Sequence, residues 1–285
     1  MVTRRTPTAL EQIITQLRTL TESVAQAEAG VDPNAIKRAR QALDAIATKL
    51  SAHAVGLDPV LRPGSIFDPT DPKTAGRVVA LTLVAQDKHP LAEIPNFYGA
   101  GVYAIYYRGA FEAYTPLSGT DHPIYVGKAD PESQAAKDAV GQGNKLFGRL
   151  SEHAKNIARA TSTLDVADFD CRFLVVQTGF QTAAEDYLID FFKPIWNSET
   201  RICHGLGKHG DNAGTRGNKR SPWDTIHPGR PWATATAENQ FPPEVILTQI
   251  AAHLTRHPPY ADLHAVFDHF MAHMRQIPRR APPLT

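Results

Sequence analysis

Apolar and polar positions alternate with two different periods, dividing the chain into helical ends and a mixed middle. Over residues 8–29, Leu10, Ile13, Ile14, Leu17, Leu20 and Val24 recur at helical spacing and form one stripe. Thr8 and Glu11 have the spacing of a capping box, which satisfies two otherwise orphaned amides. After a break at Gly30-Val31-Asp32, the pair Asp32-Pro33 reads as a second helix start, with the stripe Ile36, Ala39, Leu43, Ile46 and Leu50. Two such helices on a short connection predict an antiparallel hairpin. It reads either as a dimerisation or DNA-clamping arm, or as extra packing on the main domain.

Pro59, Pro63, Pro69 and Pro72 mark a joint. Asp71-Pro72 again looks like a helix start, so the apolar run 78–85 is read as buried helix. From Gly101 the period becomes two: Val102, Ala104 and Tyr106 alternate with Tyr103, Ile105 and Tyr107. A second short strand is expected at 123–128 and a third at 169–177, with helices at 143–160, 182–192, 243–256 and 260–276. Residues 205–232 read as loop. The fold class expected is α+β: a small central β-sheet flanked by helices, with an N-terminal helical hairpin and C-terminal helices. Three segments follow: an arm at 1–56, a central domain at 57–240 and closing helices at 241–285.

Composition narrows the partners. The chain has 285 residues, 42% of them hydrophobic and 21% charged, as in soluble globular proteins. Thirty Lys and Arg against 29 Asp and Glu leave +1, so any affinity for nucleic acid must come from local clustering. Residues 201–232 supply it: Arg201, Lys208, Arg216, Lys219, Arg220 and Arg230 face only Asp211 and Asp224, giving +4 among six glycines. Such a run suits phosphate contact and reading of guanine by arginine, with His204, His209 and His227 adding charge near phosphate. Trp223 and Trp232 are expected to anchor the block. No apolar run approaches the ~18 residues of a membrane span. Two cysteines and an N-terminus without a signal-peptide core fit a cytoplasmic protein.

Cofactor motifs fail on context. Gly99-Ala100-Gly101-Val102-Tyr103-Ala104 matches the dinucleotide pattern only superficially, because the strand follows the glycines. Gly207-Lys208 is followed by His209, not by the Ser or Thr of a phosphate-binding loop. Cys203, His204 and His209 lack the paired spacing of a structural zinc site.

The informative feature is Gly101-Val102-Tyr103 followed by Tyr125-Val126-Gly127. Downstream, Arg149 and His153 lie four apart on an expected helix, bordering its stripe Leu146, Phe147, Leu150, Ala154 and Ile157. Glu185 borders the apolar face of the next helix, near Leu188 and Phe192, where an unpaired carboxylate is costly. A divalent cation would compensate that charge; so would a salt bridge to Arg149 or Lys128. Asn197 follows. In order, element type and spacing this set resembles the GIY-YIG nuclease superfamily over roughly residues 65–235. The block Ser221-Pro222-Trp223-Asp224-Thr225-Ile226-His227-Pro228-Gly229-Arg230 resembles its Type II restriction endonuclease branch, cutters of CCGCGG, the SacII site.

The resemblance implies a Mg²⁺-dependent endonuclease acting on double-stranded DNA, with Mn²⁺ and similar cations as substitutes. Tyr103 is then the base or water-orienting group, with Lys128 and His153 supplying a field that favours its ionisation, and Tyr125 positions water or phosphate. Arg149 and Lys128 hold the phosphate, Glu185 the metal, and Asn197 braces the site through Tyr or Glu. Lys208, Arg216, Lys219, Arg220 and Arg230 are the expected DNA contacts. A palindromic target implies a homodimer or higher symmetric oligomer, and a restriction system implies a cognate DNA methyltransferase. Two rivals remain: a repair or mobile-element nuclease without a fixed site, and a non-catalytic DNA-binding protein.

Overall fold

The computed structural model describes residues 8–26, 33–57, 68, 70–207, 219–234 and 238–274. The chain divides into two compact units, Met1–Gly64 with Arg279–Thr285, and Ser65–Pro278.

In the first unit, α1 (Ala9–Gln26) and α2 (Pro33–Leu57) form where the stripes predict them. The capping box closes: Thr8 N donates to Glu11 Oε2 at 2.6 Å and Glu11 N to Thr8 Oγ1 at 3.3 Å. The apolar stripes of both helices remain largely exposed. Leu10, Ile14, Ile36 and Ile46 are 45–54% exposed, because a helix with one apolar stripe needs a second surface to cover it. The break at 30–32 lies outside the described residues.

The second unit is built on a four-stranded antiparallel sheet in the order β1-β4-β2-β3. The strands are β1 (His89–Pro90), β2 (Gly101–Tyr107), β3 (Tyr125–Ala129) and β4 (Phe169–Val175). β2 lies between β3 and β4 and is buried along its whole length. Tyr103, Ile105 and Tyr107 feed one core; Val102, Ala104 and Tyr106 feed a second on the opposite face.

The second core is covered by α3 (Pro72–Val84), α5 (Gln181–Phe192) and α9 (Leu263–Met274). Helix α3 starts as the sequence indicates, with Asp71 accepting from Lys73 N at 3.1 Å and proline in the first turn. The first core is covered by α4 (Lys145–Ala158), the short α6 (Pro222–Ile226) and α8 (Pro243–Arg256). A further single turn, α7, spans Pro231–Thr234. The C-terminal helices therefore complete the two cores: Ile246, Ile250 and Leu254 enter one, Val266 and Phe270 the other. No helix among the described residues is long and apolar enough to cross a membrane.

Candidate active site

The paired motifs meet across the β2–β3 ladder, where Tyr103 faces Gly127 and Ile105 faces Tyr125. Both motif glycines are required by close approach. A Cβ on Gly101 would lie 2.0 Å from Leu174 O on β4, and one on Gly127 would lie 2.5 Å from Tyr103 Oη. The strands can adopt this register, with the Tyr103 ring laid over β3, only because those positions carry no side chain.

On that face of the sheet, α4 brings in Arg149 and His153. His153 Nε2 is 2.6 Å from Tyr103 Oη, and the Tyr103, Tyr125 and His153 rings are mutual neighbours with centroids 5.0–6.1 Å apart. His153 is fully buried and belongs to the stripe it was expected to border. Burial pushes the Tyr103 hydroxyl well above the ordinary phenol range; Tyr125 adds to this, while Arg149 pulls it back. Tyr125 is pushed up to about 12 by the same desolvation. Arg149 holds its proton more firmly than usual: burial opposes this, but Tyr103, Glu152 and Tyr125 outweigh it. The expectation that Lys128 helps ionise Tyr103 is not met. Arg149 is the cation acting on that phenol, whereas Lys128 Nζ is held by both oxygens of Asp130 at 2.9 Å.

Glu185 arrives from the other face of the sheet on α5. It joins Arg149 around edge strand β3 in a cleft of about 380 Å³, lined also by Lys128, Ala129, Asp130 and Lys145. Arg149 Nη1 is bound to Glu152 Oε2 at 3.0 Å, and Lys128 Nζ to Asp130 Oδ1 at 2.9 Å. Burial pushes the Glu185 carboxyl up to about 7; Lys128 opposes this, and Asp186, Glu199 and Asp130 add to it. A half-buried carboxylate opening on a cleft with room for water suits a hard divalent cation, for which one carboxylate plus water and phosphate oxygens suffices. No group of three His, Cys, Asp or Glu gathers as a metal cluster among the described residues, so a cation here would rest on few protein ligands.

Asn197 braces the site through backbone, not through Tyr or Glu. Its Nδ2 donates to Val126 O at 2.8 Å, and its Oδ1 accepts from Val126 N at 2.9 Å. Those are the groups that an edge strand leaves unpaired, so one amide both finishes β3 and fixes the residue beside Tyr125.

The basic block behaves differently from its charge count. Arg230 is fully buried: Nε and Nη2 donate to Asp224 at 2.6 and 2.7 Å, between the rings of Trp223 and Trp232. It is no DNA contact, because its charge is spent inside the fold. His227 is also buried, with Nε2 2.6 Å from Tyr114 Oη and Nδ1 2.9 Å from Thr163 Oγ1. Desolvation pushes its pKa down to about 3, so it adds no positive charge for phosphate. Both tryptophans anchor the block, Trp223 within the first core and Trp232 over Arg230 and Arg159. Lys219 is exposed and 3.4 Å from Glu238, and half-buried Arg220 bridges to Asn239 by backbone. Lys208, Arg216 and His209 lie outside the described residues.

Sequence reasoning missed Asp130, Lys145, Glu152 and Gly207. Two had a signal, since Asp130 is two residues from Lys128 and Glu152 is one helical turn from Arg149. Gly207 had none: a Cβ there would lie 3.0 Å from Tyr125 Oη and 3.8 Å from both Arg149 Nη2 and His153 Cε1.

No curated protein matches the chain. The family model described as the Eco29kI GIY-YIG domain matches residues 95–254, more than half of the chain, from before β2 to within the last turn of α8. With the motif strands, the α4 pair and the α5 carboxylate gathered on one edge of the sheet, the chain belongs to the Eco29kI GIY-YIG family of restriction endonucleases.

Proposed function

We propose that the protein is a Type II restriction enzyme that hydrolyses phosphodiester bonds of double-stranded DNA at a GC-rich palindrome, CCGCGG by resemblance. The observation that carries this reading is the convergence of Tyr103, Tyr125, Arg149, His153 and Glu185 around edge strand β3.

Arg149 and Lys128 grip the scissile phosphate, each exchanging an acidic partner for phosphate oxygens. Tyr103 is a neutral phenol at rest, since burial disfavours phenolate, so it cannot act by standing ionised. It must pass a proton onward, and His153 Nε2 at 2.6 Å is placed to receive it. A water oriented by the half-exposed Tyr125 hydroxyl attacks in line and loses its proton into this pair. Glu185 would hold Mg²⁺ or Mn²⁺, whose chemistry is to neutralise charge developing on the leaving 3′ oxygen. The products carry 5′-phosphate and 3′-hydroxyl ends. One such centre cuts one strand, so a palindrome calls for two copies. The exposed stripes of α1 and α2 offer apolar surface for that pairing.

The test is digestion of plasmids of defined sequence with and without Mg²⁺. Discrete fragments ending at one palindrome support the reading. Absence of cutting with every divalent cation overturns it, and cutting of branched or damaged DNA without a fixed site transfers it to a repair-type nuclease.

A further inference from the structure

We propose that Arg230 is a positioning residue for cleavage, holding the backbone of Gly205, Leu206 and Gly207 as one wall of the catalytic centre. This rests on the nuclease reading above. Gly207 borders Tyr125, Arg149 and His153 at once: a Cβ there would press on Tyr125 Oη at 3.0 Å and touch Arg149 Nη2 and His153 Cε1 at 3.8 Å. Its position follows from the two preceding carbonyls. Arg230 Nη1 donates to Leu206 O at 3.0 Å and Nη2 donates to Gly205 O at 2.9 Å.

The guanidinium is itself fixed from every side. Asp224 takes its other edge, and Asp224 Oδ2 also accepts from Ser221 Oγ at 2.7 Å. Ser221 packs where a Cβ on Gly205 (φ +125°) would lie, 2.2 Å from its Oγ, so the wall and the clasp fit only with glycine there. Gly229, beside Arg230, has φ +144° and would place a Cβ 1.9 Å from Arg159 O. That carbonyl belongs to the C-cap residue of the helix carrying Arg149 and His153, whose N–H donates to Asn156 O and Ile157 O. One end of the clasp is thus seated on α4 and the other on the wall facing the α4 side chains.

A buried ion pair is weak evidence for stability, since apolar packing of the same volume often serves as well. Apolar packing would not, however, aim three donors at a carboxylate and two carbonyls. The planar fork of arginine does so, and the ammonium of lysine does not.

The experiment compares full-length wild type, Arg230→Lys, Gly207→Ala, the double variant and Glu185→Ala on plasmid DNA bearing the cleaved site. Single-turnover cleavage rate, DNA affinity in Ca²⁺ and melting temperature are read for each. The expected result is a several-fold fall in rate for Gly207→Ala, because its Cβ makes the Tyr125 hydroxyl give way by a few tenths of an ångström, with affinity and melting temperature unchanged. Arg230→Lys is expected to lose rate more than affinity, and the double variant to lose less than the product of the two. Wild-type cleavage rates in Gly207→Ala, or in a folded Arg230→Lys, overturn the proposal. Should Arg230→Lys not fold, Gly207→Ala decides by the same criterion. Failure of the nuclease reading looks different: wild type then cuts nothing with any divalent cation, whereas Glu185→Ala cutting as wild type does removes only the metal assignment.

Discussion

Gly127 stands directly across the ladder from Tyr103, and the phenolic oxygen sits 2.5 Å from where its Cβ would be. The two motifs are therefore one device: the glycine of the second makes the cavity that the tyrosine of the first occupies. Gly127→Ala is expected to push the Tyr103 ring away from His153. Cleavage should fall by about a hundredfold, as for other ångström displacements in active sites, and stability should fall by about 1–3 kcal/mol from overpacking. Single-turnover rates beside urea midpoints check both. Full-rate cutting in a folded Gly127→Ala would show that the Tyr103–His153 contact is not needed.

Asn197 supports a second prediction. Asn197→Ala leaves a buried N–H and C=O of Val126 without partners, at a cost of about 1–3 kcal/mol. Because Val126 adjoins Tyr125, the cleavage rate should fall as well, and Asn197→Asp should restore only the bond from Val126 N. A variant that melts early yet cuts at full rate below its melting range assigns Asn197 to the fold alone.

Most of the scaffold was legible because its signals are local. The capping box at Thr8 and Glu11, the Asp71-Pro72 start of α3 and the period-two run of β2 each lie within a few residues, and each formed as read. The gathering of Tyr103, Arg149 and His153 could be expected from a family pattern, but the pattern did not contain the contacts that define their state. Arg230 and His227 show why. A charge count treats every cation as solvated, whereas Asp224 and the distant Tyr114 bury these two. Asn197 was recognised as a brace, yet its true partner, the backbone of Val126, is written in no side-chain type. Local chemistry specified elements; long-range burial decided which polar groups remain available for function.

Buried histidines set the acid limit of the fold. Desolvation pushes His227 down to about 3 and His122 down to about 4, while both return to about 6.5 on unfolding. The unfolded chain then binds more protons, so acid favours it. This stability is fully present above about pH 6.5 and is lost as the pH falls towards 4 and then 3. Melting temperature should drop steeply between pH 6.5 and 4, and His227→Asn should flatten the slope while lowering stability at pH 7.5. A melting temperature constant across that window would contradict the neutral, buried state of these rings.

Glu185 gives the opposite sign. Its carboxyl is pushed up to about 7 from an ordinary 4.5, so the metal-free folded chain binds the extra proton. The contribution is fully present below about pH 4.5 and is lost as the pH rises through about 7, leaving a strained charge at pH 8. A divalent cation binds that charged form and competes with the proton, so Mg²⁺ should raise the melting temperature more at pH 8 than at pH 6. Glu185→Gln should match or exceed the metal-free wild type at pH 8, show no response to Mg²⁺ at matched ionic strength, and cut no DNA. An undiminished Mg²⁺ response in that variant would move the cation to other ligands, with Asp130 across the same cleft the first to be tested.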